Sequence, residues 1–239
     1  HPIQMMQYFQ QTFPSLILQT RDVRLWVIAL FITMTSFIPV VSQEIQDPAQ
    51  LITEGVVFRE VGPAIMGGRI SDIAVNPDNP ANIFVGFATA GLWKTTSDGM
   101  AWEPKFDNQV TASVGAVSIA PSNPNVVWVG TGEPQNRQSS PYGYGVFKSV
   151  DGGDTWVSTG LSQTRHIGRI IVHPQDPDVV FVAAVGHLWG ANDERGVFKT
   201  TDGGDTWEKV LYIDEDTGAI DLVISPEDPN TLFAAMYQR

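Results

Sequence analysis

The sequence contains no cysteine, and only 14 of its 239 residues are lysine or arginine, against 26 aspartates and glutamates. The first absence excludes a disulfide scaffold, a thiolate zinc site, a cysteine nucleophile and a lipidated N-terminal cysteine. The second, a formal net charge of −12, leaves no basic surplus to neutralise a phosphate backbone, so no nucleic-acid partner is expected. Beyond residue 50 no apolar period of 3.6 residues persists over three turns, so helices are not expected there. There is no Gly-x-Ser-x-Gly elbow, no His-Glu-x-x-His helix and no His/carboxylate spacing of the zinc type, and neither metal nor organic cofactor is expected. Present instead are 43% apolar residues, enough for a packed core, and 22 glycines with 16 prolines, which call for many turns.

The N-terminal part is a different kind of chain. Leu25 to Val41 runs LWVIALFITMTSFIPVV without a charge, preceded by Arg21 and Arg24. A basic region, an apolar core and then small residues have the layout of a secretory signal cleaved near Ser42–Gln43. The same stretch sits at the lower edge of spanning length, so an uncleaved anchor is the alternative. On either reading the rest is exported, secreted or held in the cell envelope, and meets a membrane only through this segment. Residues 1–42 are read as leader and 43–55 as linker. The first residue is His and the last stretch stops in mid-pattern, so the chain is read as a fragment.

From residue 56 onward one pattern recurs. An apolar run enters a proline turn at Pro77, Pro121, Pro174 and Pro226. A β-branched and aromatic run follows, at 83–87, 126–129, 179–184 and 231–236. Then come Gly91-Leu92-Trp93-Lys94, Gly145-Val146-Phe147-Lys148 and Gly196-Val197-Phe198-Lys199, each leading to a tryptophan, Trp102, Trp156 or Trp207, that opens a fourth run. Short Val/Ile/Phe/Trp runs bounded by Pro, Gly, Asn and Asp are strands. Four strands in roughly 40–50 residues make the blade of a β-propeller, and each blade relies on its neighbours to bury its faces. The expected fold is all-β: an incomplete propeller over 56–239, with blades at about 64–108, 109–160 and 161–213 and a truncated one at 214–239. Val56–Arg59 is a candidate ring-closing strand. The lysines 94, 148 and 199 alternate with buried aromatics and are expected in solvent.

Between the third and fourth strands stand Ser149-Val150-Asp151-Gly152-Gly153-Asp154-Thr155-Trp156 and Thr200-Thr201-Asp202-Gly203-Gly204-Asp205-Thr206-Trp207. Both fit Ser/Thr-x-Asp-x-Gly-x-Thr-Trp. The aspartate accepts backbone N–H bonds inside a tight turn, glycine permits positive φ, and the tryptophan is expected to fill the gap between blades. Asp151, Gly153, Thr155, Trp156, Asp202, Gly204, Thr206 and Trp207 are therefore read as structural. In Thr95-Thr96-Ser97-Asp98-Gly99-Met100-Ala101-Trp102 the aspartate and threonine positions hold Ser97 and Ala101, and a weaker turn is expected.

With these turns, the Pro-turns and the Gly-Leu/Val-aromatic-Lys strands, residues 57–239 resemble the Asp-box (BNR-repeat) β-propellers, among them the sortilin N-terminal domain, xyloglucanase-like glycoside hydrolases and sialidases. The resemblance implies an exported propeller that binds a peptide or glycan, or a glycoside hydrolase acting on β-glucans; a cell-surface scaffold is the third reading. In the xyloglucanase-like enzymes the base aspartate lies just before a Gly-Gly-Ala-Tyr-Arg-type strand. Here that strand is Ala90-Gly91-Leu92-Trp93-Lys94, and Phe87, Ala88 and Thr89 precede it without a carboxylate. The sialidase Arg-Ile-Pro motif is also missing, since Arg69-Ile70 runs into Ser71.

Antiparallel strands put the Pro-turns and Asp turns on one face and the longer loops on the other. Loops on a rigid scaffold are where function concentrates. The candidate ligand-binding residues there are Glu133, Arg137, Tyr142, Tyr144, His166, His187, Trp189 and Arg195. Glu133 and Asp193 are the candidate catalytic carboxylates, since glycoside cleavage needs a pair. Arg69 and Arg169, in Gly68-Arg69-Ile70 and Gly168-Arg169-Ile170, look like equivalent positions at the channel mouth, placed to bind an anion or pair with neighbouring carboxylates.

Overall fold

A computed structural model describes residues 68–238. The leader with its apolar stretch 25–41, the linker and the candidate strand 56–59 lie outside them. Strands β1 (Ile70–Val75), β2 (Ile83–Phe87), β3 (Gly91–Thr95) and β4 (Glu103–Pro104) form a four-stranded antiparallel sheet in chain order. The same order repeats in β5 (Val114–Ile119), β6 (Val127–Thr131), β7 (Val146–Ser149) and β8 (Val157–Gly160), and in β9 (Ile167–Val172), β10 (Val180–Ala184), β11 (Gly196–Thr200) and β12 (Glu208–Leu211). Strands β13 (Thr217–Ile224) and β14 (Leu232–Gln238) pair as a fourth unit. The first strand of each sheet touches the first strand of the next, β1 to β5, β5 to β9 and β9 to β13. The sheets therefore stand as blades around a common axis, and the architecture is an all-β propeller. Among the described residues the only helical element is the 3₁₀ turn Ser162–Thr164, and no helix is long and apolar enough to cross a membrane.

The second blade, with a neighbour on either side, has β5 and β6 buried almost throughout, which is why these strands lack a clean polar alternation. Phe84, Leu92 and Phe106 of the first blade pack on Val117, Val127, Val129 and Phe147 of the second. Trp128 and Val146 of the second pack on Ile167, Ile170, Val182 and Phe198 of the third. Burying one such side chain is worth about 1.5–3 kcal/mol, so these seams hold the blades together. Trp156 and Trp207 clamp them: their indole N–H groups donate to Lys105 O and Thr159 O of the preceding blade, both at 2.7 Å. Trp156 also meets Phe106, and Trp207 meets Trp128, edge-on, with centroids 5.3 and 6.3 Å apart. Trp102 is 37% exposed and lies on the side of the first blade where no blade is described, beside Ile70, Val85, Phe87 and Trp93.

The lysines are not solvated spacers. Lys94 and Lys148 lie over the rings of Phe84 and Trp128, at 5.3 and 5.0 Å, and reach across the seam to Gly152 O and Gly203 O at 2.7 and 3.3 Å. Lys199 lies over Phe181 at 5.4 Å. Because blades pack face to face, strand parity decides which neighbour a side chain meets, and the lysine stems cover an apolar seam while the ammonium stays polar.

In the Asp turns, Asp151 Oδ1 accepts from the Asp154 and Thr155 N–H groups at 3.0 and 2.9 Å, and its Oδ2 from the Thr155 hydroxyl at 2.6 Å. Asp202 takes the Thr206 N–H at 2.9 Å and the Thr206 hydroxyl at 2.5 Å. These bonds, the threonine hydroxyl foremost, hold both carboxyls well below the usual aspartate range. In the first blade Ser97 Oγ accepts the Ala101 N–H at 3.0 Å and pairs more loosely with the Thr95 hydroxyl at 3.4 Å. Asp98 there adopts φ 52°, where the other turns carry Gly152 and Gly203 at 73° and 72°.

Candidate functional site

The inner strands fix the axis. Each carries a bulge at the same level, between Ile70 and Asp72, Val114 and Ala116, and Ala219 and Asp221, and in β9 opposite Ala183 and Ala184. Just above these bulges Asp72, Ala116, Arg169 and Asp221 occupy equivalent places, facing Gly86, Gly130, Ala183 and Ala235 on the neighbouring strands. Arg169 therefore corresponds to Asp72 and not, as Gly-Arg-Ile suggests, to Arg69; strand pairing overrides the tripeptide match. Its guanidinium bonds Asp72 at 3.1 Å and Asp221 at 2.8 Å. The small Ala116 between them leaves the span from the third blade to the first open. Asp72 also accepts the Val117 N–H at 3.0 Å, and Arg169 holds the Asp221 carboxyl below its ordinary value. The channel arginine is thus engaged by two carboxylates.

Arg69 instead lies on the loop face. Its Nε and Nη2 donate to Glu133 Oε1 and Oε2 at 2.7 and 2.5 Å, and Arg137 Nε stands 3.6 Å from Oε1. Glu133 is only 1% exposed. It sits at the start of the β6–β7 loop, whose Glu133 carbonyl contacts His166 Nδ1 at 2.8 Å. Both oxygens of Glu133 are occupied by the Arg69 guanidinium, so the group ties the first blade to the second. Glu133 and His166, expected on the ligand-facing surface, are interior supports of the loop.

The β10–β11 loop is organised by Arg195, also expected at the surface and found buried. Its guanidinium donates to Val185 O, His187 O and Gly190 O at 3.0, 2.9 and 3.2 Å. A loop must satisfy its own carbonyls, and one planar fork satisfies three of them here. Asn192 adds bonds to His187 O and Gly190 O at 3.3 and 3.0 Å. Asp193 is exposed at the end of this loop, its backbone carbonyl accepting from Lys209.

What these supports present to solvent is aromatic. Trp189 is 71% exposed and Tyr142 53%, and Tyr144 lies 5.8 Å from Tyr142 between ring centroids. The Tyr142 hydroxyl beside it pushes the Tyr144 phenol above its ordinary value. Arg165 lies over the Tyr142 ring at 5.4 Å, and Gln163 O contacts His187 Nε2 at 3.0 Å. The β8–β9 connection thus joins the two loops into one surface. Its Leu161 and Arg165 hold φ of 55° and 57°, a conformation costly for side-chain-bearing residues. The sequence gives no sign of that backbone. Among the described residues no three His, Asp or Glu groups converge in a way that could hold a metal ion.

No family model matches the chain. Among curated proteins it is similar to a xyloglucanase of Paenibacillus sp, 24% identical over 200 residues, a match covering 78% of this chain and 18% of the relative. It is also similar to a xyloglucanase of Hypocrea jecorina (strain QM6a), 26% identical over 180 residues, covering 69% and 20%. The chain spans about a fifth of the length of these relatives. Among solved structures it resembles an ancestral GH74 enzyme, with TM-score 0.53 and 22% identity over 71% of this chain and 22% of that one. The GH74 enzyme of Niastella koreensis gives TM-score 0.53 and 21% identity over 70% and 26%. The chain has a β-propeller fold of the kind found in these glycoside hydrolases.

Proposed function

We propose that this chain is part of an exported propeller of the Asp-box type and that its loop-bearing face binds a carbohydrate chain, with β-glucans as the ligand class. The observation that carries the reading is the exposed aromatic surface of Trp189, Tyr142 and Tyr144, with carbonyls of the Trp189 loop already bonded by Arg195. Flat, exposed rings beside a planar guanidinium suit the apolar face of a sugar ring, because that face gains from burial while its hydroxyls stay in water. The similarity to xyloglucanases supports a polysaccharide over a peptide.

A second reading, hydrolysis of the bound glycan, is favoured by the same similarity. Against it, Glu133 is committed to Arg69, and no carboxylate precedes β3 at 87–89. Calorimetric titration with xyloglucan oligosaccharides, run beside a reducing-end assay, separates the two. Binding without release of reducing ends, weakened about tenfold by Trp189→Ala, is the expected result. Release of reducing ends that Asp193→Asn abolishes replaces binding with catalysis; binding of peptides but no glycan overturns the carbohydrate reading.

A further inference from the structure

The β8–β9 connection, Leu161 to His166, runs between the second and third blades, each of which has a neighbour on both sides. It closes on an uncommon turn. The Thr164 carbonyl accepts the His166 N–H at 2.6 Å across the single residue Arg165, whose φ and ψ are 57° and −41°. That is a γ-turn of the rare, strained hand. Its neighbours hold it in place. Arg165 O accepts the Gly143 N–H at 2.7 Å, His166 O accepts the Val185 N–H at 2.9 Å, and the Thr164 hydroxyl donates to Leu161 O at 2.8 Å. A side chain at position 132 would collide with Arg165 O, and glycine stands there.

Strain of this kind persists where the surrounding structure imposes it, and it clusters at ligand clamps. Here it delivers a cation to the surface. Thr164 and His166 on either side are buried, whereas Arg165 is exposed. Its guanidinium lies over the Tyr142 ring at 5.4 Å, and among the described residues no carboxylate pairs with it. The β6–β7 loop supplies a second exposed guanidinium, Arg137, 3.6 Å from a Glu133 carboxylate that Arg69 already engages through two nitrogens. One carboxylate thus serves Arg69 and Arg137, and Arg165 has none. These loops carry a surplus of positive charge on a chain whose formal net charge is −12.

We infer that Arg165 touches the ligand and reads an acidic group on it, so that the loop face takes β-glucans bearing uronate carboxylates in preference to neutral ones. The inference rests on the carbohydrate reading above and narrows its ligand class. A guanidinium meets a carboxylate through two parallel N–H bonds, and the Tyr142 face beside it steadies the plane of that fork. A sugar ring laid against the same aromatics excludes water from the pair and so strengthens it. Arg137 adds attraction at longer range.

Two oligosaccharides of one linkage test this: cellohexaose and the β-1,4-linked glucuronic acid hexamer, which differ in carrying a hydroxymethyl group or a carboxylate at C6. In calorimetric titration at pH 7 the acidic hexamer should bind about tenfold more tightly than the neutral one, the worth of one charge-assisted contact. Raising the salt from about 50 to about 500 mM should erode that advantage. Arg165→Gln should bring the two affinities within about twofold of each other, and Arg165→Lys should keep part of the preference. Arg165→Gly separates contact with the ligand from support of the loop. It relieves the turn, so the melting temperature should rise by about 2–4 °C while the preference for the acid is lost. Equal binding of the two hexamers by the native chain, or a preference that survives Arg165→Gln, overturns this inference and leaves the carbohydrate reading standing. Binding of neither hexamer overturns both. A melting temperature that falls in Arg165→Gly overturns the ligand role as well, because the arginine would then be a prop of the loop.

Discussion

Arg69 and Glu133 lie 64 residues apart in the chain and are joined by two parallel hydrogen bonds of 2.7 and 2.5 Å. The pair fastens the entry to the first blade onto the loop of the second. Hydrogen bonds to a charged group are worth about 1.5–3 kcal/mol, so Glu133→Ala is expected to lower unfolding stability by about 2 kcal/mol. Arg69→Ala is expected to cost more than Glu133→Gln, because it strands a buried carboxylate. Urea midpoints of the three variants check the order, and equal midpoints for Arg69→Ala and wild type would show that the pair does not hold the blades.

The Asp turns make the fold acid-sensitive. Asp151 and Asp202 have carboxyls held below their unfolded value, so the ionised forms stabilise the native state. That contribution is complete above about pH 4, the ordinary aspartate range, and is lost as the pH falls through the lowered native values. Asp214, Asp221 and Asp228 are shifted in the same direction. The melting temperature should therefore drop on acidification, and Asp151→Asn/Asp202→Asn should flatten part of that drop while lowering the value at pH 7. An unchanged slope would show that these turns do not couple to unfolding.

The first blade carries the imperfect turn, and it can be improved. Asp98 holds φ 52° where the other turns have glycine. Asp98→Gly should raise stability by about 0.5–1 kcal/mol by relieving the left-handed conformation. A denaturation midpoint that falls would contradict this reading of the turn.

Gly204 is the opposite case. It adopts φ 96°, and a Cβ would stand 2.8 Å from Thr159 Cβ. Gly204→Ala should cost about 2 kcal/mol through combined backbone strain and overpacking of the seam. A loss no greater than that of an exposed loop glycine, such as Gly190→Ala, would argue against the tight seam.

Much of this architecture is legible in residue order, because Pro-turns, Asp turns and tryptophans act locally. The seams are less so. Lys94 and Lys148 read as solvent positions because alternation in a strand names two faces without saying that a second blade covers the outer one. Glu133 reads as a loop carboxylate because nothing near it in sequence announces Arg69. The Gly-Arg-Ile repeat misleads for a related reason: the bulges at the start of the inner strands put Arg169 level with Asp72, and only pairing reveals them. Arg195 is hidden for the converse reason, since an arginine that satisfies its own loop's carbonyls looks in sequence like one that faces a ligand.

The most direct test of the functional account is a crystal structure of the chain soaked with a xyloglucan oligosaccharide. It should show sugar rings lying flat against Trp189 and Tyr142 on the loop face. Sugar bound instead among the Asp turns of the opposite face, or at no ordered position while the loop aromatics stay bare, would contradict the account.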